Sequence, residues 1–146
     1  MTTITQFMTA DHARCDEHFA AAEAAVDAGA WGDAEARFSE FDAAMKLHFA
    51  REESELFPAF EARTGFSAGP TEVMRGEHAR MNELLTAMRG ALSRRAADDY
   101  LGLSETLLIM MRQHNVNEEQ ILYPAADRAL GADAITLADR IRAMTT

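Results

Sequence analysis

The sequence predicts an all-α fold, an up-down-up-down four-helix bundle with a short extra C-terminal helix. The composition favours helix, because alanine and leucine are common and only 3 of the 146 residues are proline. Apolar residues recur at steps of three and four along four stretches, which is the period of one helix face. Breaks separate these stretches where a bundle needs its turns.

Each predicted long helix carries one stripe of residues that is expected to face the core. The stripes are Met8, His12, Cys15, Phe19, Ala22 and Val26; Phe38, Phe41, Met45, His48, Glu52 and Leu56; Met74, His78, Met81, Leu85, Met88 and Leu92; and Leu103, Leu107, Met110, His114, Asn117 and Ile121. Because the histidines lie within these stripes, they are expected to point into the bundle.

Three breaks divide the four helices. Residues 29–32 separate the first two helices, and residues 64–70 separate the middle pair. Pro70 suits the first position of a helix. Residues 94–99 separate the last pair, with Asp98 as the candidate N-cap. Such short connections predict antiparallel neighbours.

Prolines and a glycine mark the remaining ends. Pro58 and Pro124 each remove a helical hydrogen bond and are expected to kink or end their helices. After Gly131, a short fifth helix is expected from about Asp133 to Met144.

Charge and length bound the classes of function. With 14 Lys and Arg against 24 Asp and Glu, the formal net charge is −10, so neither nucleic acid nor an anionic membrane is expected as a partner. No run reaches the ~18 apolar residues of a membrane span, and residues 1–8 do not resemble a signal peptide. We therefore expect a cytoplasmic protein with a single domain over residues 1–146. The sequence does not indicate which oligomeric state the protein adopts.

The most informative feature is a pattern of histidines and acids that occurs twice. Asp11-His12 and His48-x-x-x-Glu52-Glu53 are followed by Glu77-His78 and His114-x-x-x-Glu118-Glu119. The differences 78−12, 114−48 and 118−52 all equal 66. A Leu-aromatic-Pro sequence follows both halves, at residues 56–58 and 122–124. The sequence therefore predicts a site built from a duplicated helical hairpin.

Equal spacing predicts that the four histidines lie at one height. Ala30, in the first turn, is 18 residues from both His12 and His48, since 30−12 and 48−30 agree. The same spacing relates the second turn to His78 and His114. Because each helical residue rises ~1.5 Å, each pair of histidines is expected to meet across its hairpin.

The chemistry of these residues predicts two metal ions. Buried glutamates without a partner are costly, and a cation offsets that cost. Imidazole with carboxylate suits iron, manganese or zinc rather than calcium. With two ions ~3.5–4 Å apart, each glutamate can bridge them, and an oxo or hydroxo bridge then leaves one open position on each ion. Which histidines share an ion stays open.

Taken together, these motifs resemble those of the hemerythrin-like HHE cation-binding family, over roughly residues 8 to 130. The ferritin type of di-iron bundle uses Glu-x-x-His, the opposite order. The resemblance implies a four-helix bundle with a non-haem di-iron centre, that is, two iron ions. It implies four terminal ligands, His12, His48, His78 and His114, and two bridging ligands, Glu52 and Glu118.

One position departs from the oxygen-carrying members of that family. Those members resemble this chain but have a fifth histidine, one turn after the position of His78. At that place this chain has Asn82. His18 does not replace it, because it lies ~240° around the helix from His12. The ligand set is closer to the di-iron domain of the repair-of-iron-centres proteins, which respond to nitric oxide and oxidative stress.

The expected function is binding of a small diatomic ligand, oxygen or nitric oxide, at open iron positions, in sensing or stress response. Three alternatives stay open. They are a di-iron redox enzyme that breaks down peroxide, a repair factor for iron-sulfur centres, and a metal-independent interaction module.

Residues around the predicted ligands receive simpler interpretations. Cys15 is expected to be a small core residue. Asp16 and Asn82 are candidates for supporting groups or occasional ligands. The acids Glu53 and Glu119 are expected to face solvent or to support the ligands. Phe57 and Tyr123 are expected to pack on the core, and this is preferred to a role for the tyrosine hydroxyl.

Overall fold

The computed structural model describes residues 1–66 and 69–145, and this part of the chain contains helices and no strand. The helices are α1 (Ile4–Asp27), α2 (Trp31–Arg51), α3 (Phe57–Thr64), α4 (Pro70–Ser93), α5 (Ala97–Asn117), α6 (Tyr123–Leu130) and α7 (Asp133–Ala143). Two π-helical segments, Glu52–Leu56 and Glu118–Leu122, join α2 to α3 and α5 to α6.

The four long helices form a closed ring. Helix α1 packs against α2 and α5, while α4 packs against α5 and α2. The predicted up-down-up-down bundle is confirmed. Helix α7 packs against α1, α6 and the first π-helical segment, so it covers one end of the bundle. No helix in the described residues is long and apolar enough to cross a membrane.

The helix ends follow the sequence with two corrections. Pro70 begins α4, as predicted, and the predicted break at 29–32 is shorter because Trp31 already begins α2. The prediction of Asp98 as an N-cap was wrong: α5 begins at Ala97, and Asp98 lies in its first turn. An acid in the first turn is still favourable, because it faces the positive end of the helix dipole.

The two internal prolines do not end their helices. Pro58 and Pro124 follow the π-helical segments, in which the N–H groups of Phe57 and Tyr123 bond to carbonyls five residues earlier. Proline has no N–H to donate, and the wider hydrogen-bonded turn before it accommodates the proline. The chain therefore continues as a helix. Each π-helical segment begins at a predicted bridging residue, Glu52 or Glu118.

Two apolar clusters fill the bundle on either side of the predicted ligands. One lies among α1, α2, α4 and α5, and includes Phe38, Met81 and Leu107. The other includes Met8 and extends to α7. The layer of predicted ligand residues therefore lies between two apolar regions.

The predicted stripe on the fourth helix was partly wrong. Ile121 is 63 % exposed, whereas Ser104 and Glu118 are fully buried. The buried line runs through Tyr100, Ser104, Leu107, Met111, His114, Glu118 and Leu122. An apolar pattern misses this register because the line contains polar residues whose partners are in other helices. One example is the Ser104 hydroxyl, which donates to Glu23 Oε2 at 2.8 Å.

Candidate metal centre

The six predicted ligand residues come from the four helices of the ring and the two π-helical segments that continue them, and they meet in the interior of the bundle. One histidine comes from each of α1, α2, α4 and α5, and the two glutamates come from the π-helical segments. All are between 0 and 4 % exposed. These residues are His12, His48, Glu52, His78, His114 and Glu118.

The candidate donor atoms fall into two groups that could each hold a metal ion. In one group, the donor atoms of His12, His48 and Glu118 lie within 4.8 Å of one another. In the other, the same limit holds for Glu52, His78, His114 and Glu118. The histidines therefore group by hairpin, a question that the spacing alone left open. We call the His12–His48 side the first half and the His78–His114 side the second half.

Both glutamates contact an imidazole from each half. Glu118 Oε1 lies 3.0 Å from His12 Nε2 and 3.2 Å from His114 Nε2. Glu52 Oε1 lies 3.0 Å from His78 Nε2 and 3.4 Å from His48 Nε2. Each carboxylate is thus placed between the two halves, the arrangement that a ligand shared by two ions requires.

Each imidazole also bonds to a carboxylate on its outer side, through Nδ1. The separations are 2.7 Å for His12 to Glu119, 2.8 Å for His48 to Asp11, 2.6 Å for His78 to Glu53 and 2.7 Å for His114 to Glu77. A proton on Nδ1 leaves the Nε2 lone pair directed at the centre and makes it a stronger metal donor. Each of the four histidines therefore has its own carboxylate partner on the side that faces away from the centre.

Sequence reasoning found only part of this outer layer. The repeat includes Asp11 and Glu77 but predicts no role for them, and it predicts that Glu53 and Glu119 either face solvent or support the ligands. Their recurrence at the 66-residue offset was the available signal. It did not reveal that Glu119 serves a histidine in the other hairpin, since that pairing exists only in the folded bundle.

Removing one outer carboxylate is expected to weaken metal binding without abolishing it. Glu77→Ala removes the only acid bonded to His114 Nδ1 in the described structure, so the apparent metal affinity should fall about 10–100-fold. Competition with a chromophoric chelator measures this change. Glu72→Ala, which alters an exposed acid on the same helix, should leave the affinity unchanged; equal affinities for both variants would contradict the role of Glu77.

Unpaired buried atoms indicate that a cation fits between these residues. Glu52 Oε1, Glu118 Oε2, His78 Nε2 and His114 Nε2 are all buried without a hydrogen-bond partner in the described part of the chain. Leaving such atoms unpaired is costly. Because they are lone-pair donors of the types that iron, manganese and zinc accept, a metal ion would satisfy them.

The electrostatics of these residues agree with this conclusion. Burial lowers the pKa of His78 to about 3, and the neighbouring His114 acts in the same direction, so His78 is a neutral donor at pH 7. Burial raises the pKa of the Glu52 carboxyl well above its ordinary range, and the nearby Glu118 carboxylate adds to the effect. Two acids this close cannot both be charged without compensation.

Tyr123 corrects one sequence prediction. The side chain is buried, as expected, but its hydroxyl reaches the ligands and lies 2.8 Å from Glu52 Oε2 and 2.9 Å from Glu118 Oε1. Packing was preferred because the repeat partner Phe57 has no hydroxyl. The duplication is therefore a poor guide at this position, where the two halves differ.

The other candidate residues lie outside the cluster. His18 is at the boundary, with Nδ1 3.6 Å from Glu40 Oε2. Cys15 is buried in the core, and burial raises the pKa of its thiol to about 12. Asp16 is exposed, while Asn82 is partly buried and its Oδ1 has no hydrogen-bond partner in the described structure.

Arg51 distinguishes the first half from the second. Its guanidinium lies 3.0 Å from Asp11 Oδ1 and donates to the carbonyls of Ile141 and Met144 at 3.0 and 2.8 Å. The repeat partner of Arg51 is Asn117. The outer carboxylate of His48 is thus tied to the C-terminal part of the chain, a link that the repeat does not predict.

Comparison with known proteins agrees with the geometry. Residues 3–126 match the family model described as the hemerythrin HHE cation-binding domain. No curated protein and no solved structure matched the chain. The match spans both histidine-containing hairpins and all four helices of the ring. With its buried histidine and glutamate cluster, the chain belongs to the hemerythrin HHE cation-binding family.

Proposed function

We propose that this protein holds two iron ions and binds a small diatomic ligand, oxygen or nitric oxide, at open iron positions, in sensing or stress response. The ligands proposed for the ions are the four histidines and two glutamates of the cluster, His12, His48, Glu52, His78, His114 and Glu118. Bound iron would supply open coordination positions and a change of oxidation state.

The observation that carries the proposal is a set of four buried donor atoms without a hydrogen-bond partner, on Glu52, His78, His114 and Glu118. These residues form one of the two groups whose donor atoms lie within 4.8 Å of one another. Both glutamates approach one imidazole of each half. A structure of this kind suits two cations rather than one, because each half has its own pair of histidines and the carboxylates lie between them.

The chain's own residues would set the properties of the site. The apolar clusters above and below exclude bulk water, which strengthens electrostatic interactions inside. The outer carboxylates fix the tautomer of each histidine. A small neutral gas enters such surroundings more easily than a charged solute, because its desolvation costs little.

Anaerobic metal analysis followed by gas titration tests this function. Iron should be bound at about two ions per chain, and nitric oxide added to the reduced protein should produce a saturable change in absorption. Apoprotein prepared with a chelator is the matched control and should give no change. Iron-loaded protein that fails to respond to either gas would contradict the proposed function while leaving the metal site intact.

Peroxide turnover separates the enzymatic alternative. A protein that only binds a ligand consumes hydrogen peroxide stoichiometrically, whereas an enzyme consumes it catalytically. Many turnovers per site would replace the binding proposal with redox catalysis at the same ligands. A chain that folds fully and binds no metal would instead favour the interaction module.

The proposal treats residues 1–146 as one domain located in the cytoplasm. The family match ends at residue 126, but α7 buries Leu137 and Ile141 in the same apolar cluster as Met8. The hydrogen bonds from Arg51 to residues near the C-terminus also support a single unit. Fractionation of cells that express the chain would test the compartment.

A further inference from the structure

The hydroxyl of Tyr123 lies among more acceptors than its single proton can serve. The side chain is 0 % exposed. Besides the two glutamate oxygens, its oxygen lies 3.2 Å from His12 Nε2 and 3.3 Å from His48 Nε2. Since both imidazoles bond to carboxylates through Nδ1, their Nε2 lone pairs face the hydroxyl. The single phenol proton of Tyr123 therefore faces four hydrogen-bond acceptors.

This oxygen belongs to one half of the cluster. Both of its histidine neighbours are in the first half. In the second half the repeat partner is Phe57, whose ring stacks on His78 with centroids 5.8 Å apart and planes at 19°. Tyr123 and His12 are similarly placed, at 5.6 Å and 31°. At these two positions the halves therefore share their aromatic packing and differ by one oxygen atom.

We infer that the Tyr123 oxygen is a seventh protein ligand, bound to the ion that His12 and His48 hold. It fills a position there, so the open position for an added ligand lies on the ion held by His78 and His114. On binding, the phenol O–H bond is replaced by a metal–oxygen bond, the proton leaves to solvent, and no electron is transferred. This inference rests on the proposed di-iron function and makes its two ions unequal.

Spectroscopy of the iron-loaded, oxidised protein tests the ligand directly. A phenolate bound to iron(III) gives a charge-transfer band in the visible region and tyrosine ring modes in the resonance Raman spectrum. Tyr123→Phe should lose both signals and keep its iron. Tyr100→Phe is the matched control, because Tyr100 is the only other tyrosine and packs in the core against Phe38.

These experiments distinguish a failure of the Tyr123 assignment from a failure of the proposed gas binding. Fully iron-loaded wild-type protein that lacks the band, or Tyr123→Phe protein that retains it, would overturn the inference whether or not a gas binds. A protein with the band but without gas binding would overturn the proposed function and support the ligand. Iron content and circular dichroism of each variant show that the comparison is made between folded, loaded proteins.

The reverse substitution tests the asymmetry. Phe57→Tyr places a second hydroxyl at the equivalent position beside His78, and should add charge-transfer intensity and cause loss of nitric oxide binding. Retention of full binding in a Phe57→Tyr protein with increased intensity would show that the open position is not on the second half, and would overturn the assignment.

Discussion

Glu118→Ala is expected to remove both iron ions, taking the iron content from about two per chain to near zero. Glu118 belongs to both groups of donor atoms and lies within 3.2 Å of an imidazole from each half. If the two proposed ions share this carboxylate, removing it takes a ligand from each of them and also the negative charge that offsets them. Metal analysis of anaerobically purified protein measures the result.

Two further variants sharpen this expectation. Glu52→Ala should give the same joint loss, because Glu52 also contacts an imidazole of each half. Glu105→Ala removes an exposed acid from α5 and should keep the full iron content. A Glu118 or Glu52 variant that keeps one ion firmly bound would contradict the proposal that each carboxylate is shared.

Iron binding is expected to stabilise the fold strongly. Without metal, the bundle buries four unpaired donor atoms and two adjacent acids. A ligand present at 1,000 times its dissociation constant contributes about 4 kcal/mol to the free energy of unfolding. For a chain of this length, that corresponds to a rise of ~10 °C in the melting temperature. Anaerobic calorimetry with and without iron measures the difference.

The controls for this stabilisation use the metal and the protein separately. Calcium prefers sites made only of oxygen ligands and should leave the melting temperature unchanged. Glu118→Ala should not respond to iron, since it lacks the shared carboxylate. A wild-type melting temperature that iron leaves unchanged would show that the buried cluster is already satisfied without a cation.

Several features followed from local rules. The first three stripes were assigned correctly, because one apolar face per helix specifies which side enters the core. The position of Pro70 at a helix start likewise depends only on its neighbours. Duplication helped most at the cluster: the 66-residue offset linked two weak motifs into one pattern, and the structure brings those six residues together in the bundle interior.

The errors arose where partners come from distant parts of the chain. Ser104 is buried because Glu23 accepts its hydroxyl, and no apolar pattern on its own helix predicts that. Tyr123 was assigned to packing since symmetry with Phe57 argued against its hydroxyl. The expected kink or end at Pro124 is a separate, local case: the π-helical turn before it, in which the Tyr123 N–H bonds to the Glu118 carbonyl, keeps the chain helical.

The sequence by itself determined the bundle, the repeat and the identity of the residues that gather at its centre, since these depend on periodicity and spacing along the chain. Only the tertiary structure decided which histidines share a half, which carboxylate supports each imidazole and that Tyr123 reaches the glutamates. Those choices depend on contacts between different helices, some of which join residues more than 70 positions apart, as between Tyr123 and His48. Their meeting depends on how the helices pack rather than on any local pattern.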